Sequence, residues 1–396
     1  MAYFSAEMSS SGVITDDHGW FDEGTIGDIR DEAHANGVRF ILTITLFSGP
    51  AIETLVNSAT NRAAAIAAIE DAVVSMGGDG VNIDFEGVPK AAKAGLVTFM
   101  QDLDAAMTAA LGEKAYVTID TPAVDWNGSF DFDQLAEACD GLFIMGYDYH
   151  YTGGNQGPNS PLQAGAIWSQ WSLTWTLDDY FKYGLAANKH KFILGLPFYG
   201  FDWPSESTAF PGTATGKGVA VAYTACKTRA AAAGGFLWDS ESLTAYFMEN
   251  KAGTPHQIWC DDGPSWVEKM NLVMERDIGG IGIWALGYDG NTTEYWDAIG
   301  AALAPVPVPV DEGPDVVEPS EVEPPNVAEP NVAEPSEVEP PVAVEPMDFV
   351  EPMDFVEPEA VVESEPAVES EESDFGGVPG DLTSGEDIGG VVPGDD

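Results

Sequence analysis

The stretch Asp79-Gly-Val-Asn-Ile-Asp-Phe-Glu86 decides how this chain reads. Strand side chains alternate between two faces, so Asn82, Asp84 and Glu86 share one while Val81, Ile83 and Phe85 share the other. In a barrel the apolar set packs outward on helices and the polar set lines the interior. Glu86 then falls at the C-terminal mouth, where barrel enzymes keep their chemistry. Two carboxylates so close and partly desolvated cannot both ionise cheaply; one is pushed up, which suits a general acid at neutral pH. A strand with one solvated polar face is the plain alternative, disfavoured by the parallel pattern around it.

Outward from this strand, short β-branched runs alternate with helical stretches. Strands are expected at Ala2–Ser5, Val38–Leu46, Gly80–Phe85, Tyr116–Thr121, Gly141–Tyr147, Lys191–Pro197 and Gly280–Ala285. Helices are expected at Glu23–Asn36, Asn61–Met76 and Lys90–Leu111, each closed by a glycine, and at Asp178–Asn188, Ser265–Arg276 and Thr293–Leu303. Repeated strand–helix units over this length predict an α/β fold with a parallel sheet, a (β/α)8 TIM barrel in preference to an open sheet. The interval from Tyr199 to Asp277 is too long for one loop and helix. A small insertion after the seventh strand, containing Gln257–Cys260, accounts for it.

The chain has 66 Asp and Glu against 15 Lys and Arg, a net charge of −51 over 396 residues. Such a surface repels polyanions and excludes nucleic-acid phosphate as a partner. No apolar run approaches the roughly 18 residues of a membrane span, and no signal peptide is visible at the start. From residue 305 onward there are 27 acidic residues, no Lys or Arg, and 17 of the 27 prolines. Proline every five or six residues, with uniform charge, predicts an acidic Pro-rich disordered tail over 305–396, an extended spacer behind a catalytic unit of 1–304. The three cysteines sit at no metal-ligand spacing, and the histidines form no i, i+4 pair; neither a metal nor a cofactor is expected. Cys226 and Cys260 are expected as free buried thiols, with pairing in an oxidising compartment as the alternative.

Asp79–Glu86 resembles the D-G-x-D-x-D-x-E signature of family-18 glycoside hydrolases, the chitinase-like barrel enzymes. Three further segments follow in that family's order. Met145-Gly-Tyr-Asp148 is similar to its M-x-Y-D, Gly195-Leu-Pro-Phe-Tyr-Gly200 to its G-x-P-x-Y-G, and Gly282-Ile-Trp284 to its last strand with a sugar-stacking Trp. Asn82, Phe85, Gly200-Phe-Asp-Trp203 and Gln257-Ile-Trp-Cys-Asp-Asp262 resemble bacterial spore-wall and cell-wall N-acetylglucosaminidases more than typical chitinases. The S-x-G-G motif of many chitinases is not evident; Thr43-Ile-Thr-Leu-Phe-Ser-Gly49 stands on that strand.

The resemblance implies hydrolysis of β-1,4-linked N-acetylglucosamine polymers, chitin or peptidoglycan, by a retaining mechanism in which the substrate's 2-acetamido group is the nucleophile. Glu86 would protonate the glycosidic oxygen and later activate water. Asp84 would orient the acetamido group, and Tyr147 would donate to its carbonyl oxygen, with Met145 and Asp148 beside it. Trp284 would floor the distorted sugar, with Tyr199, Trp203 and Phe4 as secondary contacts; for Trp203 and Phe4 a core role is nearly as well supported. Asn82 departs from the family's Asp: it cannot take up charge, but it is expected to hydrogen-bond Asp84 and keep it oriented. The loop Tyr151–Gly157 is expected at the mouth. The resemblance also implies a strand ahead of Ala2–Ser5, so the first strand of the barrel is expected to be missing, with Met1 an internal start and any export signal lost. The expected setting is extracellular or the cell envelope, and the expected state a monomer. A lectin-like sugar-binding module and a surface stalk are the competing readings.

Overall fold

The computed structural model describes residues 1–182 and 187–304. The expected acidic tail lies outside the described residues. In chain order the elements are β1 (Ala2–Met8), β2 (Ile14–Asp16), α1 (Thr25–Ala35), β3 (Ile41–Leu46), α2 (Gly49–Asn57), α3 (Ala59–Ser75), β4 (Gly80–Phe85), α4 (Lys93–Leu111) and β5 (Tyr116–Pro122). There follow α5 (Phe132–Ala138), β6 (Gly141–Met145), α6 (Leu173–Lys182), β7 (Phe192–Pro197), β8 (Tyr199–Pro204), β9 (Val219–Ala222) and α7 (Tyr223–Ala232). The last are β10 (Leu237–Asp239), β11 (Thr244–Lys251), β12 (Thr254–Trp259), α8 (Gly263–Arg276), β13 (Gly280–Trp284) and α9 (Glu294–Leu303).

The main sheet runs β13-β7-β6-β5-β4-β3-β1, all parallel, with β2 added antiparallel to β1. These seven parallel strands are the seven expected from the sequence. Among the described residues no pairing joins β13 to β1. The parallel sheet is a consequence of the strand–helix alternation: each crossover helix covers one apolar face, so strand interiors read as continuous hydrophobic runs. β4 is buried along its whole length. Its apolar set, Val81, Ile83 and Phe85, belongs to the main hydrophobic core, and Phe85 stacks on Phe99 of α4 with ring centroids 5.7 Å apart. Gly80 is required where β4 meets β5, because a Cβ there would lie 1.9 Å from the Tyr116 carbonyl oxygen.

Helix ends follow local chemistry. The Ser58 side chain accepts from the Asn61 N–H at the start of α3, and Asp262 accepts from the Ser265 N–H at the start of α8. The helix expected from Asp178 begins earlier, at Leu173, where Ser172 Oγ accepts from the Trp175 N–H at 3.3 Å. α2 lies beyond the helices expected from sequence; its Pro50 reads as a breaker but sits in the first turn, where no N–H is needed.

The insertion between β7 and β13 is an antiparallel sheet in the order β10-β11-β12-β8-β9, with α7 beside it. Asp202 of β8 ties this sheet together. It accepts from Arg229 of α7 at 2.6 Å, Lys251 of β11 at 2.7 Å and His256 of β12 at 2.6 Å. Cys226 of α7 and Cys260, just after β12, form a disulfide with Cα atoms 6.5 Å apart, a correction to the expected free thiols. The reason is tertiary: α7 packs against β8, whose neighbour in the sheet is β12, and this brings two residues 34 positions apart within bridging distance. Cys139 is free and buried.

Candidate active site

Asp84 and Asn82 rise from β4 into the face opposite the apolar set and are 5% and 7% exposed. Glu86 follows at the strand's C-terminal end and reaches solvent. β5 and β6 bring up the rest of the site. The register pairs Asn82 with Thr118 and Ile83 with Ile119, so Asp120 comes alongside Asp84. Pro122 pairs with Met145, and the chain then turns through Tyr147 and Asp148. Asp148 adopts a left-handed φ of 60°, which Asp tolerates better than most residues. Its N–H donates to Asn159 Oδ1 at 2.8 Å, while Asn159 Nδ2 donates to the Tyr199 carbonyl at 3.1 Å. One asparagine therefore fixes the turn after β6 against the start of β8.

The ionisable groups form one electrostatic unit. Burial, then the charge of Asp148, raises the Glu86 carboxyl above its ordinary range. Burial, then the charges of Asp120 and Glu86, raises Asp84 well above it. Tyr147 is lifted by burial and by four carboxyls, Asp120, Asp84, Asp148 and Glu86, so its phenol stays protonated and can donate. Burial also raises Asp148, opposed by the Tyr199 hydroxyl, which donates to Asp148 Oδ1 at 2.5 Å. The Tyr147 and Tyr199 rings meet edge to face, with centroids 6.0 Å apart. A carboxyl with a raised pKa at a strand mouth, a second buried carboxyl one step inside and a protonated phenol within electrostatic reach of both can deliver a proton and stabilise a nearby cation.

The structure gathers most of the residues named from sequence. Asn82, Asp84, Glu86, Tyr147, Asp148 and Tyr199 interact directly or through shared charges, and Met145 closes β6 beneath them. Trp284 ends β13 and meets Phe4 of β1 in a T-shaped contact at 4.6 Å, with Phe4 45% exposed. Trp203 is a correction: at 0% exposure it offers no face to a sugar and packs with Phe201 inside the aromatic cluster of the inserted sheet. The physical reason is strand alternation in a second layer, which turns Phe201 and Trp203 into a core that the sequence alone did not assign to either side. Asn82 brings a second correction. Its hydrogen bonds run to β5, accepting from Thr118 Oγ1 at 2.7 Å and donating to Asp120 Oδ2 at 3.1 Å, instead of to Asp84.

Asp120 is the residue that sequence reasoning missed. Its signal was present: an acid in Tyr116-Val-Thr-Ile-Asp-Thr-Pro122, on a strand expected to be buried, is rare without a purpose. Trp126, 71% exposed on the loop after β5, was missed as well; it abuts Trp171 at 4.6 Å and presents an aromatic face at the same end of the sheet. The loop Tyr151–Gly157 contributes Thr152, Gly153, Gly154 and Asn155 to a cavity of about 450 Å³ with Ala214, Gly216 and Lys217. None of the carboxylate-site residues lines that cavity.

YdhD of Bacillus subtilis, named as a sporulation-specific glycosylase, is 28% identical over 255 residues, covering 62% of this chain and 56% of that protein. Human di-N-acetylchitobiase is 26% identical over 203 residues, covering 43% of this chain and 49% of the relative. The chain thus spans about half the length of these two curated relatives. Among solved structures, a chitinase from Chromobacterium violaceum superposes with a TM-score of 0.64 over 77% of this chain and 91% of its own. At 21% identity that likeness speaks to the fold. The family model for glycosyl hydrolases family 18 matches residues 1–289. With that match over most of its length and the carboxylate strand within its parallel sheet, the chain belongs to glycosyl hydrolases family 18.

Proposed function

We propose that this protein hydrolyses β-1,4-linked N-acetylglucosamine polymers, chitin or the glycan strands of peptidoglycan, by a substrate-assisted retaining mechanism. The observation that carries this is the placement of Asp84 and Glu86 on one face of the strand that β4 opens, with the protonated Tyr147 phenol within electrostatic reach of both. Glu86, its pKa raised by burial and by the charge of Asp148, donates to the glycosidic oxygen as the substrate's acetamido oxygen attacks the anomeric carbon. The buried Asp84 carboxyl accepts the acetamido N–H and stabilises the charge that develops on the resulting ring. Tyr147 donates to the acetamido oxygen and aligns it for attack. Glu86, now a carboxylate, takes a proton from the water that opens the intermediate. Trp284 offers the apolar floor for the sugar ring, with Phe4 supporting it edge-on.

The seven parallel strands and the chitinase-like neighbours support a (β/α)8 barrel; the strand that would join β13 to β1 is not among the described residues. We read residues 1–304 as the catalytic unit and 305–396 as an acidic spacer, from composition. The names of the relatives point to chitin fragments and to sporulation, and the Cys226–Cys260 disulfide fits oxidising surroundings, so action at the cell envelope or outside the cell is our reading. No helix of the described residues is long and apolar enough to cross a membrane. The test is turnover of a fluorogenic chitooligosaccharide and of purified peptidoglycan, by the full chain and by residues 1–304. Hydrolysis by both supports the reading. Binding of either polymer without turnover would refute it in favour of a sugar-binding module.

A further inference from the structure

Asn82 removes one carboxyl from the polar face of β4, and the neighbouring strand returns one. Asp120 of β5 sits beside Asp84, held by the Asn82 amide on its Oδ2 at 3.1 Å, with the carboxyls of Asp120 and Asp84 within hydrogen-bond reach of each other. One oxygen on each, Asp84 Oδ1 and Asp120 Oδ1, is buried without any N–H or O–H partner. Two carboxylates carry no donor, so a buried pair of this kind is satisfied only when a proton lies between them. The groups facing the pair are Asn82 and Glu86 from β4, Thr118 from β5, Tyr147 and Asp148 beyond β6, and Thr43 and Thr45 from β3. None of them is a cation.

We propose that Asp120 is a positioning residue for Asp84: the two share one proton, which moves onto Asp120 when the Asp84 carboxylate accepts the N–H of the substrate's acetamido group. This rests on the substrate-assisted reading above. The O–H bond on Asp84 breaks as an O–H bond on Asp120 forms, so the proton count of the pair is unchanged. Asp84 thereby meets the developing positive charge as an anion, although in the free enzyme its burial beside two other acids favours the neutral form. Asn82 and Thr118 keep Asp120 aimed at Asp84, which gives the Asn at position 82 a task other than the one expected of it. The electrostatics agree: burial chiefly pushes Asp120 up to about 7.

The test uses the full chain and an Asp120→Asn variant, which keeps shape and hydrogen bonding but cannot hold the proton. The expected result is a kcat at least about tenfold lower with KM within about twofold, and loss of the ionisation near neutrality from the pH profile of kcat. Infrared spectroscopy reads the proton without turnover. In a Glu86→Gln background, the protonated-carboxyl band should persist above the ordinary carboxylate range and titrate near neutrality, and adding Asp120→Asn should remove that near-neutral titration while leaving the band of the buried Asp84. Wild-type kcat and pH profile in Asp120→Asn, or no such band in the Glu86→Gln protein, would overturn the proposal. A band that behaves as expected in a protein that hydrolyses nothing would support the shared proton and count against the hydrolytic reading alone.

Discussion

Tyr199→Phe removes a single hydroxyl, the donor to Asp148 Oδ1 at 2.5 Å. A hydrogen bond to a charged carboxylate contributes about 1.5–3 kcal/mol, so its loss raises the Asp148 pKa by about one to two units. Burial already raises Asp148, and the further rise favours its neutral form. Glu86 responds in the opposite direction. The Asp148 charge is one of two causes raising Glu86, after burial, so neutralising Asp148 lowers the Glu86 pKa. A general acid is active only when protonated, and the alkaline limb of kcat/KM should therefore move to lower pH by about half to one unit. The plateau should fall about tenfold as the Asp148 turn loosens. The assay is the pH dependence of kcat/KM on a fluorogenic chitooligosaccharide for both proteins, with thermal unfolding to confirm an intact fold. An alkaline limb that stays in place, or moves to higher pH, would refute the coupling between Tyr199, Asp148 and Glu86.

Three further outcomes follow from the same structure. Glu86→Gln should lower kcat by about 10³-fold while leaving oligosaccharide affinity within a few-fold, measured by steady-state kinetics and by calorimetric titration. Reduction of Cys226–Cys260, which closes a segment of 34 positions, should cost up to about 4 kcal/mol of stability, read as a fall in Tm on adding reductant at constant pH. Asp202→Asn should cost about 2–3 kcal/mol by leaving Arg229, Lys251 and His256 without their shared anion. Although burial opposes it, hydrogen bonds from Lys251, His256 and Arg229 hold the Asp202 pKa below the ordinary value. The stabilisation is therefore complete above the unfolded value of about 4 and is lost as pH falls through the folded one, so the two denaturation curves should converge in acid.

Much of the site was legible because a strand has a fixed period. In Asp79–Glu86 the alternation assigns Asp84 and Glu86 to one face and Val81, Ile83 and Phe85 to the other, whatever surrounds them, and the hydrophobic core takes up the apolar set. The same period, with strand–helix alternation, gave the seven parallel strands and the place of the insertion. β8–β12 were not resolved individually, since short antiparallel strands joined by Gly-rich turns carry little pattern of their own.

Contacts between distant segments are where the sequence ran out. Period alone could not say that Asn82 would bond β5 in preference to Asp84, because a hydrogen-bond partner depends on the register of the adjacent strand. Trp203 and Tyr199 lie four residues apart on one face of β8 and share the aromatic cluster of the inserted sheet, yet only the Tyr199 hydroxyl reaches Asp148. Cys226 and Cys260 became a pair only because α7 docks beside the inserted sheet. The residue pattern by itself determined that two carboxylates would share the polar face of β4. Only the tertiary structure decided that a third, Asp120, would stand beside them, because register and burial, not residue order, set which acids must share a proton.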